Sequence, residues 1–258
     1  MRDLGKGIII IPDIHGRTFW REAASKVGGM HIVFLGDYVD PFNDEVISVE
    51  QTFREFEDII SFKRAHPAET TLLLGNHDLQ YIWPEFPQTR YDAEHAHLYS
   101  DFLKENRDCF ALTASFRMKG RTVIFSHAGI LPDWLKETPS LFGLYEGSSH
   151  SNPLAAADID LPNKLWLDGN DGFLCKSLSS ISTLRGGHNT FGSMVWADVG
   201  EMMAAPATPG YFQVFGHTQQ PGGPLVTDSF ACVDCRRAFL LDRFTAHWAD
   251  EATHLPSV

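Results

Sequence analysis

The chain has 258 residues, 43% of them apolar and 12% aromatic, enough to bury a large core. Its net charge is −12 and no run of lysines or arginines occurs, so the basic face that a nucleic-acid polymer requires is excluded. Ile8–Ile11, the longest unbroken aliphatic stretch, is far too short to span a bilayer, and four cysteines (Cys109, Cys175, Cys232, Cys235) are too few for a disulfide scaffold.

Met1–Gly7 runs straight into the short first apolar stretch, without a charged n-region followed by an apolar h-region, so a cytoplasmic protein is expected. Cys232-x-x-Cys235 lacks the second pair that a tetrahedral zinc site needs and reads as two small strand residues. An acidic chain that handles phosphate requires a local source of positive charge, and metal ions are the obvious one.

Taken in chain order, Ile8–Ile11 reads as a buried strand, Phe19, Ala23 and Val27 mark a short helix, and His31–Leu35 is a second strand. Val46, Val49, Phe53, Phe56 and Ile60 recur at three-and-four spacing and predict an amphipathic helix over 45–64. Thr70–Leu74 comes next as a strand, Leu98, Phe102 and Cys109 mark a helix across about 91–110, and Arg121–Phe125 is another strand. The stretch 131–209 is rich in Gly, Ser, Pro and Asn and weakly periodic; it is expected to form long loops with short helices over one edge of the sheets, a lid and substrate-recognition region. Tyr211–Phe215 and Ala231–Leu241, the latter as two strands with a turn, complete a single α/β sandwich domain spanning 1–258.

The turns at the strand ends carry the chemistry. Five strands end in turns bearing Asp, Asn or His beside glycine: Asp13-Ile-His15-Gly16, Gly36-Asp37-Tyr-Val-Asp40, Gly75-Asn76-His77-Asp78, Ser126-His127-Ala-Gly129 and Gly216-His217-Thr218. Any single fragment has an ordinary explanation: Asp13 as an N-cap, Asn76 as a residue tolerating positive φ, His127 and His217 as satisfied core histidines. All five in order do not arise from turn chemistry alone. Mixed carboxylate, amide-oxygen and imidazole sets suit Mn²⁺, Fe²⁺ or Zn²⁺. A pair of ions about 3.5–4 Å apart needs a bridging ligand, which a carboxylate can be and an imidazole cannot. Asp37, central in the order, is the natural bridge. Asp13 and His15 can face one ion, and Asn76, His127 and His217 can complete the other.

These motifs, DxHG, GDYVD, GNHD, SHAG and GHT, together with MVWAD at 194–198, resemble the calcineurin-like metallophosphoesterase superfamily from Asp13 to about Asp234. Within it the chain is most similar to the phosphoprotein phosphatases, which include bacterial serine/threonine phosphatases and symmetrical dinucleoside tetraphosphate hydrolases. The resemblance implies a four-layer α-β-β-α sandwich of two mixed sheets with a dimetal site at the sheet edges. It implies one ion on Asp13, His15 and Asp37 and a second on Asp37, Asn76, His127 and His217. It also implies His77 as general acid, oriented by Asp40, and a hydroxide shared by the metals as nucleophile. Gln219 in GHTQ stands where many superfamily members carry a second metal histidine, which favours the phosphatase-like ligand set.

One departure bears on substrate. The family pattern GDxVDRG has an arginine that grips phosphate, and this chain has Pro41 there. Arg185, in LRGG, is the expected replacement, with Arg17 and Arg90 as alternatives and with Asn76 and His188 as further substrate contacts. Pro41 is expected to hold Asp40 extended, Asp78 to be structural, and Asp198 and Asp234 to hold the site from behind. His31, His66, His95, His97, His150, His247 and His254 are read as surface residues. The expected activity is hydrolysis of phosphate monoesters, on a phosphoprotein or a phosphorylated small molecule, with two divalent ions (Mn, Fe or Zn) as cofactors and no nucleic-acid polymer or membrane as partner. The alternatives are a phosphodiesterase or dinucleoside polyphosphate hydrolase with the same site, and a catalytically inactive scaffold.

Overall fold

The four isoleucines Ile8–Ile11 are all buried, yet they face opposite ways. In the computed structural model, which describes residues 2–3, 7–25, 28–144, 153–242 and 246–248, Ile8 and Ile10 join an apolar layer with Val33, Leu35, Val123, Phe125 and Phe212. Ile9 and Ile11 point into a second layer with Ile32, Phe34, Leu72, Phe56 and Ile59. Side chains alternate across a strand, so a strand with no polar position must be covered on both faces. Here a second sheet covers one face and helices cover the other.

The strands are β1 (Arg2–Asp3), β2 (Ile8–Ile11), β3 (His31–Phe34), β4 (Thr70–Leu73), β5 (Phe110–Ala111), β6 (Ala114–Met118), β7 (Arg121–Phe125), β8 (Tyr211–Phe215), β9 (Leu225–Val226), β10 (Phe230–Cys232), β11 (Phe239–Leu241) and β12 (Ala246–Trp248). They form two six-stranded sheets, β1-β6-β7-β8-β10-β9 and β12-β11-β2-β3-β4-β5. Both are mixed: β2, β3, β4 and β5 run parallel with β11 antiparallel to β2, and β7, β8 and β10 run parallel with β6 antiparallel to β7. Helices α1 (Trp20–Ser25), α2 (Val49–Ala65), α3 (Asn76–Leu79) and α4 (Ala96–Glu105) come after strands of the second sheet. This is the expected α-β-β-α sandwich. Because the motif-bearing strands are parallel within each sheet, their carboxyl ends open at one edge.

Several boundaries differ from the sequence expectation. Helix α2 begins at Val49 because the Ser48 side chain caps it, accepting from the Gln51 N–H at 3.2 Å; Val46 lies before the cap and is fully exposed. In α4 the buried residues are Tyr99 and Leu103, while Leu98 is exposed, and Arg107–Cys109 is a separate 3₁₀ turn. Residues 231–241 do contain two strands, but β10 pairs with β8 and β11 crosses to pair with β2 in the other sheet. Strand β6 has no counterpart in the sequence expectation, although Ala114, Phe116 and Met118 alternate inward.

His31 is also corrected. It is buried, with Nε2 2.8 Å from Thr71 Oγ1 and its ring 4.6 Å from that of Phe116. His66 and His97 are exposed and His95 is half-buried against Asp92. His150, His254 and the His247 side chain lie outside the described residues. The described part of 131–209 consists of short helices more than long loops. Trp134, Trp166, Leu174 and Leu178 anchor them, fully buried, in the helix-side core. Among the described residues, no helix is long and apolar enough to cross a membrane.

Candidate metal centre

The first two strand-end turns are stitched together by the backbone. The Ile14 and His15 N–H groups both donate to the Asp37 carbonyl, at 3.0 and 2.7 Å. The third turn is tied to the second by Asp78, whose carboxylate accepts the N–H groups of Asp37 (2.8 Å), Tyr38 (2.9 Å) and Gly75 (2.8 Å). Asp78 is thereby occupied with backbone. Gly75 is required by close approach, since a Cβ there would stand 2.1 Å from Asp37 Oδ1. The same holds for Gly216 against Asp13 Oδ1, also 2.1 Å. Both glycines let carboxylates of one strand end press against the backbone of the next.

Four non-glycine residues of these turns have positive φ: His15 (47°), Asp37 (53°), Asp40 (58°) and His217 (64°). Such outliers cluster at functional sites because the surroundings must over-determine them. Asp40 is therefore left-handed and not extended, contrary to the expectation drawn from Pro41. Asp tolerates this region, and its carboxylate is held by three donors: His77 Nδ1 at 2.8 Å, the Tyr81 hydroxyl and the Gln80 side-chain amide. Those contacts outweigh the preference imposed by the following proline.

The imidazoles are oriented by main-chain carbonyls. His15 Nδ1 donates to Val39 O at 2.7 Å and His127 Nδ1 to Leu35 O at 2.8 Å. Each Nε2 is thereby turned toward the carboxylates, 3.7 Å (His15) and 3.3 Å (His127) from Asp37 Oδ2. Around His127 Nε2 also lie Asn76 Oδ1 at 3.0 Å and His217 Nδ1 at 3.1 Å. His217 Nε2 is buried without a hydrogen-bond partner. Two sets of side chains bring one ligand atom each within 4.8 Å of one another: His15, Asp37 and His77, and Asp37, His127 and His217. Asp37 belongs to both.

Buried lone pairs and carboxylate oxygens that converge in this way are offset by a cation placed among them. Burial alone would pull His127 down, but Asp37 and Asp13 outweigh it and hold the imidazole up to about 10. Burial pushes Asp37 up, yet His127, His77 and His15 hold its carboxyl well below the usual range. Burial keeps His15 and His217 well below the ordinary histidine range, as neutral ligands must be, whereas His127 is held up by Asp37 and Asp13, whose negative charge a bound cation would offset. The donor set thus fits divalent metal.

Asp13 reaches the same cleft but spends both carboxylate oxygens on the His217 N–H, at 3.1 Å each. It is not in either compact set, and His77 stands there instead. Asp234 is a buried wall of the cleft whose carboxyl burial and Asp13 push up to about 8. Asp198 caps the helix Val199–Ala204 and pairs with Arg185 at 2.9 Å. Arg185 lines the cleft and also donates to the Thr218 hydroxyl. Arg17 is turned away to Glu45 (2.8 Å) and Asp13 O (3.2 Å), whereas Arg90 lines the cleft. His188 is exposed and is not among the lining residues. Gln219 is a lining residue. Cys232 packs behind the GHT turn, its thiol 3.3 Å from Thr218 O. Gln80 and Tyr81 do not stand out in the sequence, although their spacing of i+3 and i+4 from His77 is one helical turn.

A two-sheet α/β sandwich with an acid, amide and imidazole cluster at the shared sheet edge defines a metal-assisted hydrolase class. A family model described as calcineurin-like phosphoesterase matches residues 7–221, and the chain belongs to that family. It is a hydrolase of phosphoric esters. A cold-active protein tyrosine phosphatase is similar in fold, with a TM-score of 0.50 at 16% identity over 96% of this chain and 80% of that one. A protein serine/threonine phosphatase from Saccharomyces cerevisiae, with similarity to human phosphatase PP5, gives 0.42 at 13% identity over 89% and 67% of the two chains. The phosphatase domain of the Legionella effector WipB gives 0.35 at 13% identity over 61% of each chain. No curated protein matches the sequence.

Proposed function

We propose that the protein is a dimetal phosphomonoesterase acting on a phosphoprotein or a small phosphate ester. The observation that carries this reading is the membership of Asp37 in both ligand sets. Asp13, His15 and Asp37 would hold one ion, and Asp37, Asn76, His127 and His217 the other. Two such ions, when bound, would lower the pKa of a water and offset charge on the phosphoryl oxygens. Asn76, Arg185 and Trp196 would wall the substrate, and the segment 131–209 would supply recognition through the last two. His77 donates its proton to the leaving oxygen. Its Nδ1 is engaged by Asp40 at 2.8 Å, so Nε2 is the nitrogen available to the substrate. Burial pushes the Asp40 carboxyl up while the bond from His77 opposes that.

The cleft measures about 270 Å³ and opens to solvent, so a phosphoryl group fits beside the ligand cluster while its leaving group extends outward. The test is metal-loaded protein assayed on p-nitrophenyl phosphate, bis-p-nitrophenyl phosphate and a dinucleoside tetraphosphate. Preference for the monoester is expected; preference for either of the others would overturn the monoesterase reading.

A further inference from the structure

Arg90 sits in the stretch between α3 and α4 with left-handed backbone, φ 46°, where a bulky residue is an outlier. Its guanidinium carbon stands 3.8 Å over the Phe42 ring centroid. Arg17 and Arg236 flank the same ring at 5.3 Å, but both are ion-paired to Glu45. Arg185 is likewise ion-paired, to Asp198. Arg90 forms no carboxylate ion pair among the described residues. Its Nη2 lies 3.3 Å from Asp40 O and 3.4 Å from His15 Nε2, and its Nε is buried with no hydrogen-bond partner. An arginine held over a ring and unpaired with any carboxylate keeps its charge available for an oxyanion in the cleft it lines.

Position also matters. Phe42 directly follows Pro41, where the arginine of GDxVDRG is absent. Resting on the phosphoesterase reading of the site, we infer that Arg90, stacked on Phe42, binds the phosphoryl group of the substrate in place of an arginine at position 41. The chain carries at 42 the platform and brings the cation from a distant segment. Arg185, ion-paired to Asp198 at 2.9 Å and donating from Nη2 to Thr218, braces the GHT turn and contributes less to anion binding.

The experiment is calorimetric titration of metal-loaded protein with inorganic phosphate, read beside metal content and the KM for p-nitrophenyl phosphate. Arg90→Ala should weaken phosphate binding and raise KM by about 10- to 100-fold, the range for a hydrogen-bonded charged group, with metal content unchanged. Phe42→Leu, which keeps apolar volume but removes the ring, should weaken it several-fold. Pro41→Arg introduced into Arg90→Ala should recover part of the loss. Arg185→Ala should weaken phosphate binding less than Arg90→Ala. Phosphate affinity within twofold of wild type in Arg90→Ala, or a larger loss in Arg185→Ala, would overturn the inference. So would loss of metal in Arg90→Ala, which would make the residue a support for His15. A wild type that neither takes up metal nor hydrolyses the ester would sink the phosphoesterase reading itself; an active wild type with an unaffected Arg90→Ala would sink this inference alone.

Discussion

His77 makes two contacts that hold it in place. Its backbone N–H donates to Asp37 Oδ1 at 3.0 Å and its Nδ1 meets Asp40 at 2.8 Å, so both the main chain and the ring are anchored. If His77 protonates the leaving oxygen, His77→Ala should slow turnover of phenyl phosphate by about 10²–10⁴-fold, with a smaller loss on p-nitrophenyl phosphate, whose leaving group needs a proton less. Its position beside His15 and Asp37 raises a competing role as ligand. Measuring both esters and metal content decides between them: equal losses on the two esters together with metal depletion would refute the proton-donor role. At this scale the sequence is informative about residue types and silent about their bonding. Asp37 and His127 can be named from motif order alone. The left-handed turn at Asp40 cannot, because it is imposed by Tyr81 and Gln80 across the fold and not by the neighbouring proline.

Turns that bear the ligands are packed so tightly that their glycines are structural requirements. A methyl group at Gly75 would fall 2.1 Å from Asp37 Oδ1 and 2.7 Å from His127 Cε1. Gly75→Ala should therefore cost about 1–3 kcal/mol from overpacking and weaken metal binding at least tenfold, because either Asp37 or the turn must move. Thermal melting with and without metal would measure both effects, and wild-type metal affinity in this variant would contradict the close approach. Element identity is largely readable, since β2, β3, β4, β7 and β8 are short apolar runs ending in distinctive turns. Pairing is not. β10 and β11 are close in sequence but enter different sheets, and no local pattern encodes a choice made by long-range burial. Arg90 is inconspicuous in the sequence for a related reason, lying in a stretch without periodicity that only tertiary packing brings over Phe42.

Across the whole molecule, the site is where the two sheets are joined. Asp13, Asp37 and Asn76 come after strands of one sheet, and His127 and His217 after strands of the other. The bonds His217 N–H to Asp13 and His127 Nδ1 to Leu35 O already cross that seam. Metal bound there cross-links the sandwich, so chelation should lower thermal stability: at 100 times Kd, bound metal contributes about 2.7 kcal/mol per site, a shift of several degrees. An unchanged Tm on adding and removing chelator would argue against ions at the seam. The proposed chemistry depends above all on Asp37 being shared by two ions. Elemental analysis of the purified, metal-equilibrated protein tests that sharing without any assumption about substrate. Two divalent ions per chain are expected in the wild type and fewer than one in Asp37→Ala at the same free metal, with p-nitrophenyl phosphate hydrolysis lost in parallel. Equal metal content in wild type and Asp37→Ala, or full hydrolysis by metal-free protein, would contradict it.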